Sequence, residues 1–406
     1  MGPRTEEFES DFARYVGARH AVAVSSGTAA LHLMCVAAGI GPGDEVIVPS
    51  LTFVATVNAV VYAGASPIFA DIASLKEPWL SAEAVEAAIT PSTRAVLAMP
   101  YGGHAGEIET LAALCARRRL TLLEDAAHAA GSRLHGRHLG TFGAVGAFSL
   151  FSNKNLAVGE GGIVVTDDDN LAATIRALRS HGMTTLTWDR HRGHAASYDV
   201  VRVGYNYRLD EPRSTLAAMR LRRLDAENAQ RARLDERYRE LLEPLNLIVT
   251  MPAIDGLAPS HHLVTVVLPD SVDRERVRAH LAGEGIQTSV HYPPVHLTAA
   301  HLRPDADLPV TEEYARRALT LPLYPHLSDG EQDTVVNALT AAVSYDQRQP
   351  VCRAYNNDVV LCNAYFVFTT TTKAGMTTVQ TGRESSTLVK SGGKWLIANQ
   401  HYSAMF

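Results

Sequence analysis

Three groups of residues in the first half of the sequence have the chemistry of a cofactor site. Lys154 is a lone lysine in a run of small, polar and apolar residues, "SLFSNKNLAVGEGG" (149–162). Asp125 follows the apolar run "LTLLE", and Ser26, Gly27 and Thr28 follow the apolar run "HAVAV" (20–24). An amine forms Schiff bases, a carboxylate stabilises a protonated ring nitrogen, and the N-terminus of a helix binds phosphate.

Each of these signals taken alone has an ordinary structural interpretation. Ser26 to Thr28 would serve equally well as a plain helix N-cap, and Asp125 would serve as the cap of a turn. Neither a GxGxxG motif nor a P-loop stands in a competent position. Together, however, an amine, an acid and a phosphate cradle are what pyridoxal 5'-phosphate (PLP) requires. The sequence therefore predicts a PLP site that depends on Lys154 and Asp125.

The elements around these residues predict how they come together. In the first two hundred residues, short apolar runs alternate with segments of helical period, and the predicted strands cover 20–24, 45–49, 66–72, 94–100 and 120–127. This alternation indicates an α/β fold with a mostly parallel sheet that is covered on both faces. In such sheets, ligands bind where the carboxyl ends of strands meet the N-termini of helices.

The remainder of the chain has a different pattern. A long helix (about 214–243), strands at 261–269 and 286–293, and helices at 273–285 and 329–343 predict a smaller α+β domain. After about residue 356 the sequence reads as consecutive strands, which indicates a short antiparallel β module. The predicted domains are 1–212 (PLP-binding large domain), 213–345 (small domain) and 346–406 (β-rich module).

A series of motifs between Gly2 and about Val343 extends this interpretation. They include "VSSGTAALHL", "EDAAHAAGS", "FSLFSNKNLAVGEGG", "GYNYRLDE", "HYPPVH" and "LPLYPHLSDGE". With these motifs the sequence resembles the DegT/DnrJ/EryC1/StrS family of PLP-dependent sugar aminotransferases, which have PLP fold type I (aspartate aminotransferase-like). The resemblance implies transfer of an amino group from L-glutamate or glutamine to a keto-sugar, commonly a nucleotide-linked one. It also implies a homodimer with shared active sites.

The same resemblance assigns roles to individual residues. Lys154 would be the Schiff-base lysine, Asp125 the partner of the pyridine nitrogen, and Phe53 the residue that stacks on the ring. The other implied cofactor-binding residues are Ser26, Gly27, Thr28 and Ser149 at the phosphate, His128 near the phenolic oxygen, and Asn206 at the phosphate of the neighbouring subunit. The candidates for substrate contact are Tyr101, Tyr207, His291 and His296.

Two alternatives within this function stay open. The acceptor would be a cyclitol ketone instead of a sugar, or the protein would bind PLP or a sugar nucleotide without turnover. The second alternative depends on the N-terminus, because the family usually has a further segment before the position of Gly2 that helps form the substrate pocket. The loop 180–199 is basic and aromatic, and it would close over an anionic sugar nucleotide or be an ordinary solvated loop.

The C-terminal segment, about 350–406, resembles the last strands of an NTF2-like (SnoaL-like) domain. A third hypothesis makes this segment a binding or oligomerisation module, with the large region as its scaffold. The net charge is −6, and no run of basic residues indicates nucleic acid or a membrane as partner. His291 and His296 do not have a usual zinc spacing, so no metal is expected. The polar N-terminus predicts a cytoplasmic protein.

Overall fold

The structure is a computed structural model that describes residues 2–183, 199–245, 247–347, 351–354, 359–371, 377–391 and 394–404. It falls into two compact units, which consist of residues 1–267 with 287–333 and of residues 268–286 with 334–406. The predicted domain boundaries at 212 and 345 remain predictions.

The first unit is built on a seven-stranded sheet. Its strands are β1 (His20–Val24), β2 (Glu45–Pro49), β3 (Ser66–Ala70), β4 (Thr93–Ala98), β5 (Thr121–Asp125), β8 (Val145–Ser149) and β9 (Gly162–Thr166), while β6 (Arg133–Leu134) and β7 (Arg137–His138) lie outside it. The order is β1-β9-β8-β5-β4-β2-β3. The neighbours from β8 to β3 pair in parallel, and β9 is antiparallel to both β8 and β1.

Helices cover both faces of this sheet. They are α1 (Pro3–Val16), α2 (Gly27–Ala37), α3 (Val54–Tyr62), α4 (Ala82–Ala87), α5 (Ile108–Arg118) and α6 (Asp169–Arg179). Successive strand residues point to opposite faces, so Ala21 and Ala23 pack in the apolar cluster with α1 and α5, while Val22 and Val24 pack with α2, α3 and α6. The fully buried strands therefore read as continuous apolar runs in the sequence.

Smaller elements complete the first unit. They are α7 (Glu211–Leu221), α8 (Leu224–Leu242), α10 (Pro309–Arg317), the antiparallel sheet β10-β12-β13 (Ile248–Val249, Val264–Val267, Ala318–Leu321) and the sheet β11-β6-β7, with β11 at Leu257–Ala258. The expectation of one helix over 214–243 is wrong, because the chain forms two helices that are separated at Arg222 and Arg223. The expected strand at 286–293 is reduced to one bridge between Ser289 and Thr320.

The second unit contains α9 (Arg274–Gly283). It also contains most of α11 (Asp329–Gln347), a helix whose first residues belong to the first unit. It also contains an antiparallel sheet of four strands in the order β14-β15-β16-β17 (Val351–Ala354, Val359–Thr371, Thr377–Ser391, Lys394–Ala404). The predicted antiparallel β module is thus present. The resemblance of this segment to an NTF2-like domain remains a prediction.

Within the residues that the structure describes, no helix has both the length and the apolar character that a bilayer crossing requires.

Candidate active site

The carboxyl ends of the parallel strands meet at one edge of the sheet, and the predicted residues gather there. A cavity of about 320 Å³ opens at this edge. Its lining includes the following predicted residues: Ser26, Gly27, Thr28, Phe53, Asp125, His128, Ser149, Lys154 and His291. Residues that are far apart in the sequence therefore form one site, because β1, β5 and β8 run in the same direction and end at the same edge of the sheet.

Asp125 is the last residue of β5, and its side chain is only 4% exposed. The Thr56 hydroxyl donates to Oδ2 (2.6 Å), and the Ala127 N–H donates to Oδ1 (3.2 Å). Burial raises the pKa of Asp125, whereas these two hydrogen bonds and the nearby Lys154 favour the carboxylate. The site thus holds an oriented acceptor that a cationic partner in the cavity would stabilise further.

Lys154 lies in the connection between β8 and β9, at the same edge of the sheet. Its backbone N–H donates to the Phe151 carbonyl (2.9 Å), which closes a turn. Burial lowers the pKa of the Lys154 amine to about 8, and the opposite charge of Asp125 limits that decrease. A substantial fraction of the amine is therefore neutral and nucleophilic near pH 8.

The first turn of α2 forms the anion cradle, and it also has an ordinary N-cap. The Ser26 hydroxyl accepts a hydrogen bond from the Ala29 N–H (3.1 Å). Ser26 is therefore the N-cap of α2, which is the structural role that the sequence also allowed. In the described part of the chain, the N–H groups of Gly27 and Thr28 have no protein partner and remain available to an anion. A Cβ at Gly27 would lie 2.8 Å from Ser149 Cβ, so glycine permits the close approach of β8.

His128 and Tyr292 form another wall of the cavity. The Gly102 N–H donates to His128 Nδ1 (3.2 Å), so the neutral ring carries its proton on Nε2 and donates it to Tyr292 Oη (2.8 Å). Burial, with a contribution from the charge of Lys154, lowers the pKa of His128 well below its ordinary value. Phe53 is 57% exposed and its ring centre lies 6.0 Å from that of Tyr292.

His291 also lines the cavity, and burial and the charge of Lys154 lower its pKa to about 4. Its Nδ1 lies 2.9 Å from Thr320 Oγ1. The imidazole is therefore neutral around pH 7, and it can accept or donate a hydrogen bond but contributes no charge to an anionic ligand.

The other predicted residues do not line the cavity. Tyr101 is fully buried and donates its hydroxyl proton to the His291 carbonyl (2.5 Å). His296 is also fully buried, with Nδ1 2.7 Å from Ser50 Oγ. Tyr207 packs on Tyr205 with a ring distance of 5.0 Å. Asn206, between these two tyrosines, is exposed. Their roles toward substrate and partner remain predictions, and most of the loop 180–199 lies outside the described residues.

Sequence reasoning missed several residues of the site. Thr56 was not singled out, although it orients Asp125. Tyr292 stands within the motif "HYPPVH", in which only the two histidines are predicted site residues. Asn155 directly follows Lys154 and is buried in a hydrogen-bond network. Hydrogen bonds between residues so distant in sequence leave no local pattern that could have revealed them.

In the described ranges, no three His, Cys, Asp or Glu side chains gather as a metal site would require.

Fold and site together define the class of protein. A mostly parallel sheet with an amine, an acid and an anion cradle at one edge is suited to PLP. Residues 1–340 match the DegT/DnrJ/EryC1/StrS aminotransferase family, and the chain belongs to this family. The predicted fold, PLP fold type I, and the predicted enzyme class, a PLP-dependent aminotransferase, are confirmed.

Individual relatives support this assignment. The spore coat polysaccharide biosynthesis protein SpsC of Bacillus subtilis (strain 168) is 39% identical over 349 residues, which are 83% of this chain and 89% of SpsC. DesV of S. venezuelae, solved in complex with a ketimine intermediate, is 39% identical with a TM-score of 0.77, over 84% of this chain and 90% of DesV.

A more distant solved structure shows the same fold in a cofactor-bound form. It is the PLP form of the putative sugar aminotransferase Spr1654 of Streptococcus pneumoniae, which is 24% identical with a TM-score of 0.79. The match covers 85% of this chain and 92% of Spr1654. At this identity the likeness shows the fold alone.

Proposed function

We propose that this aminotransferase uses PLP, held by Lys154, to move an amino group from L-glutamate or glutamine to a nucleotide-linked keto-sugar. The observation that carries this proposal is the convergence of Lys154, Asp125 and the first turn of α2, with Gly27 and Thr28, on one cavity. An amine, an acid and an anion cradle match the aldehyde, the ring nitrogen and the phosphate of PLP.

The residues of the cavity fit the cofactor in other respects. Gly27 lacks the Cβ that would displace Ser149, so the hydroxyl of Ser149 can share the cradle. The ring of Phe53 is exposed on the cavity wall, where it would stack on an aromatic ligand. Neutral His128 lies on the same wall, and Tyr292 stands between it and Phe53.

When bound, PLP would supply an electron sink for the carbon that gains or loses the amino group. The Asp125 carboxylate would hold the positive charge at the ring nitrogen. Nζ of Lys154 would remove the proton from the α-carbon of the amino donor, a role that requires the neutral amine. The pKa of Lys154, lowered by burial to about 8, makes that form available near neutral pH.

The substrate class rests on the relatives. SpsC, at 39% identity, is a polysaccharide biosynthesis protein by name. This relative favours a sugar acceptor over a cyclitol ketone. A protein that only binds is not favoured either, because both Lys154 and Asp125 line the cavity.

The proposed functional unit is a homodimer with shared active sites. Asn206 is exposed, although the tyrosines on either side of it are held by ring contacts with His32. An exposed amide on a fixed segment is suited to contact the phosphate in a neighbouring subunit. We also propose that the protein acts in the cytoplasm.

An absorbance experiment tests the proposal. Purified protein is incubated with PLP, and spectra are recorded before and after excess L-glutamate, for the wild type, Lys154→Ala and the control Lys76→Ala, which removes an exposed lysine. We expect a visible band from lysine-bound cofactor in the wild type and the control that glutamate abolishes, and no such band in Lys154→Ala. A wild type without the band, or a band that Lys154→Ala retains, would overturn the assignment of Lys154.

A further inference from the structure

A buried polar network lies directly behind Lys154. The side chain of Asn155 is almost fully buried, and all its hydrogen-bonding groups are paired. Its Nδ2 donates to the Ser260 carbonyl (2.8 Å) and to Asn228 Oδ1 (2.8 Å), and its Oδ1 lies 2.8 Å from His262 Nδ1. Since the amide nitrogen is the donor in the first two bonds, Oδ1 is an acceptor and His262 must carry its proton on Nδ1.

The same network reaches His128 through Ser260. The Ser260 hydroxyl donates to the His128 carbonyl (2.6 Å), and the Ser260 N–H donates to Ser132 Oγ (2.9 Å). Ser260 is fully buried, and its three backbone and side-chain groups are all used. One residue thus joins the neighbour of Lys154 to the backbone of His128.

The surrounding backbone is shaped to admit this junction. A Cβ at Gly103 would lie 2.0 Å from Ser260 Oγ and 2.7 Å from the His128 carbonyl oxygen. On the other side, Asn228 of α8 donates to the Ala130 carbonyl (3.0 Å), which ties the helix to the segment after β5. The network therefore connects the lysine segment, the His128 segment and α8, where Arg231 Nη1 also donates to Asn228 Oδ1 (3.3 Å).

We infer that Asn155 and Ser260 are positioning residues that hold Lys154 and His128 as one unit against the cavity. This inference rests on the proposed function, since Lys154 is taken as the residue that binds PLP. Fully satisfied buried networks fix the side chains that they join, and removal of one member exposes unpaired groups in the others. Loss of the network would let the segment of Lys154 move toward water. The pKa of its amine would then rise toward the ordinary value of a lysine, because burial is what lowers it.

The test measures how apo protein captures PLP as a function of pH. Asn155→Ala, Asn155→Leu, Ser260→Ala and the Asn155→Ala/Ser260→Ala pair are compared with the wild type and with Asn170→Ala, which removes an exposed asparagine of α6. Borohydride trapping followed by peptide mass analysis locates the modified lysine. Thermal unfolding of each apo protein is recorded in parallel, so that a loss of stability is measured separately from a change at Lys154.

For the wild type and Asn170→Ala we expect capture to rise with a midpoint near pH 8, the pKa of Lys154. In the Asn155 variants the midpoint moves upward and capture at pH 7.5 slows by about tenfold. Ser260→Ala shifts the midpoint in the same direction, and the double variant is less affected than the sum of the single variants, because the two residues share one network.

An unchanged midpoint in variants that unfold at lower temperature would overturn the inference, since the network would then only stabilise the fold. If neither Asn155 variant yields folded protein, Ser260→Ala decides by the same criterion. A wild type that fails to capture PLP at Lys154 would instead contradict the proposed function, so the two failures are distinguishable.

Discussion

At the scale of single residues, the pairing of Asp125 with Lys154 governs the chemistry of the cavity. The two groups affect each other in opposite ways. The charge of Asp125 raises the pKa of Lys154 against the larger effect of burial, and the charge of Lys154 favours the ionised form of Asp125. The acid that stabilises a cationic ring nitrogen therefore also keeps the amine from losing its proton at still lower pH.

Replacing Asp125 by asparagine separates these two effects. In Asp125→Asn the pKa of Lys154 should fall below about 8, because the charge that raises it is gone. Apo protein should capture PLP at lower pH than the wild type, while amino transfer falls by about a hundredfold or more, since the ring nitrogen loses its charged partner. Capture is followed by absorbance across a pH series, with Glu109→Gln as the control for the loss of an exposed carboxylate. A midpoint that moves upward would contradict the proposed coupling.

The site residues that the sequence predicts differ from those that it does not predict in how unusual each residue type is among its sequence neighbours. Lys154 and Asp125 could be predicted because a lone cation and an acid at a strand end are unusual types in their local context. Asn155 and Ser260 are ordinary types in ordinary places, and their importance arises only from hydrogen bonds that span 105 positions. Tyr292 was visible in its motif, but its link to His128 depends on tertiary structure.

At the scale of elements, the buried strands of the seven-stranded sheet are easier to predict than the ends of the helices. β1 and β2 coincide with their apolar runs, because strands buried on both faces need apolar residues at every position. The break between α7 and α8 has no such signal, because Arg222 and Arg223 are good helix formers with exposed side chains. The residue types at this position therefore do not mark the end of a helix.

The N-terminus of α2 gives a prediction at this scale. In Gly27→Ala the new Cβ would lie within 2.9 Å of Ser149 Oγ and would push β8 away from the first turn. We expect PLP affinity to fall by about tenfold or more, because the helix N–H groups and Ser149 no longer converge on one anion. Equilibrium titration of apo protein measures the affinity, and Gly41→Ala, with no atom closer than 4.0 Å to its new Cβ, is the matched control. Equal affinities for the two variants would exclude the cradle.

At the scale of the whole molecule, two buried histidines make the stability of the folded protein depend on pH. His104 accepts the Gly106 N–H at Nδ1 and donates from Nε2 to the Pro252 carbonyl. His138 accepts the Gly131 N–H at Nε2 and donates from Nδ1 to the Leu139 carbonyl. Both arrangements require the neutral ring, and burial lowers the pKa of each histidine to about 4.

These histidines predict loss of stability in mild acid. Between pH 6.5 and about 4, each of these histidines is protonated in the unfolded chain but neutral in the folded protein. The stability that the neutral histidines contribute is therefore present above pH 6.5 and is lost as the pH falls. From pH 7 to pH 5 each should cost about 2 kcal/mol of unfolding free energy. Urea unfolding at both pH values should show a smaller pH dependence for His138→Gln than for the wild type or for His280→Gln, an exposed control. An equal pH dependence in all three proteins would contradict this account.

The proposed homodimer allows a test in which two inactive proteins restore each other. Lys154→Ala removes the amine of a site, and Asn206→Ala removes the exposed amide that would complete the site of the neighbouring subunit. If sites are shared, one site of each hybrid dimer combines both defects and the other has neither. Random assembly would then return about a quarter of the wild-type activity.

Co-expression of the two variants with different affinity tags isolates the hybrid and measures this recovery directly. If Asn206 instead acts within its own subunit, each site of the hybrid carries one defect and activity stays at the level of the separate variants. Hybrids that form but remain inactive would therefore exclude the shared site, while a preparation that contains only monomers would exclude the dimer itself. Recovery in the purified hybrid requires both that the subunits associate and that Asn206 crosses between them, because no other arrangement leaves one site intact.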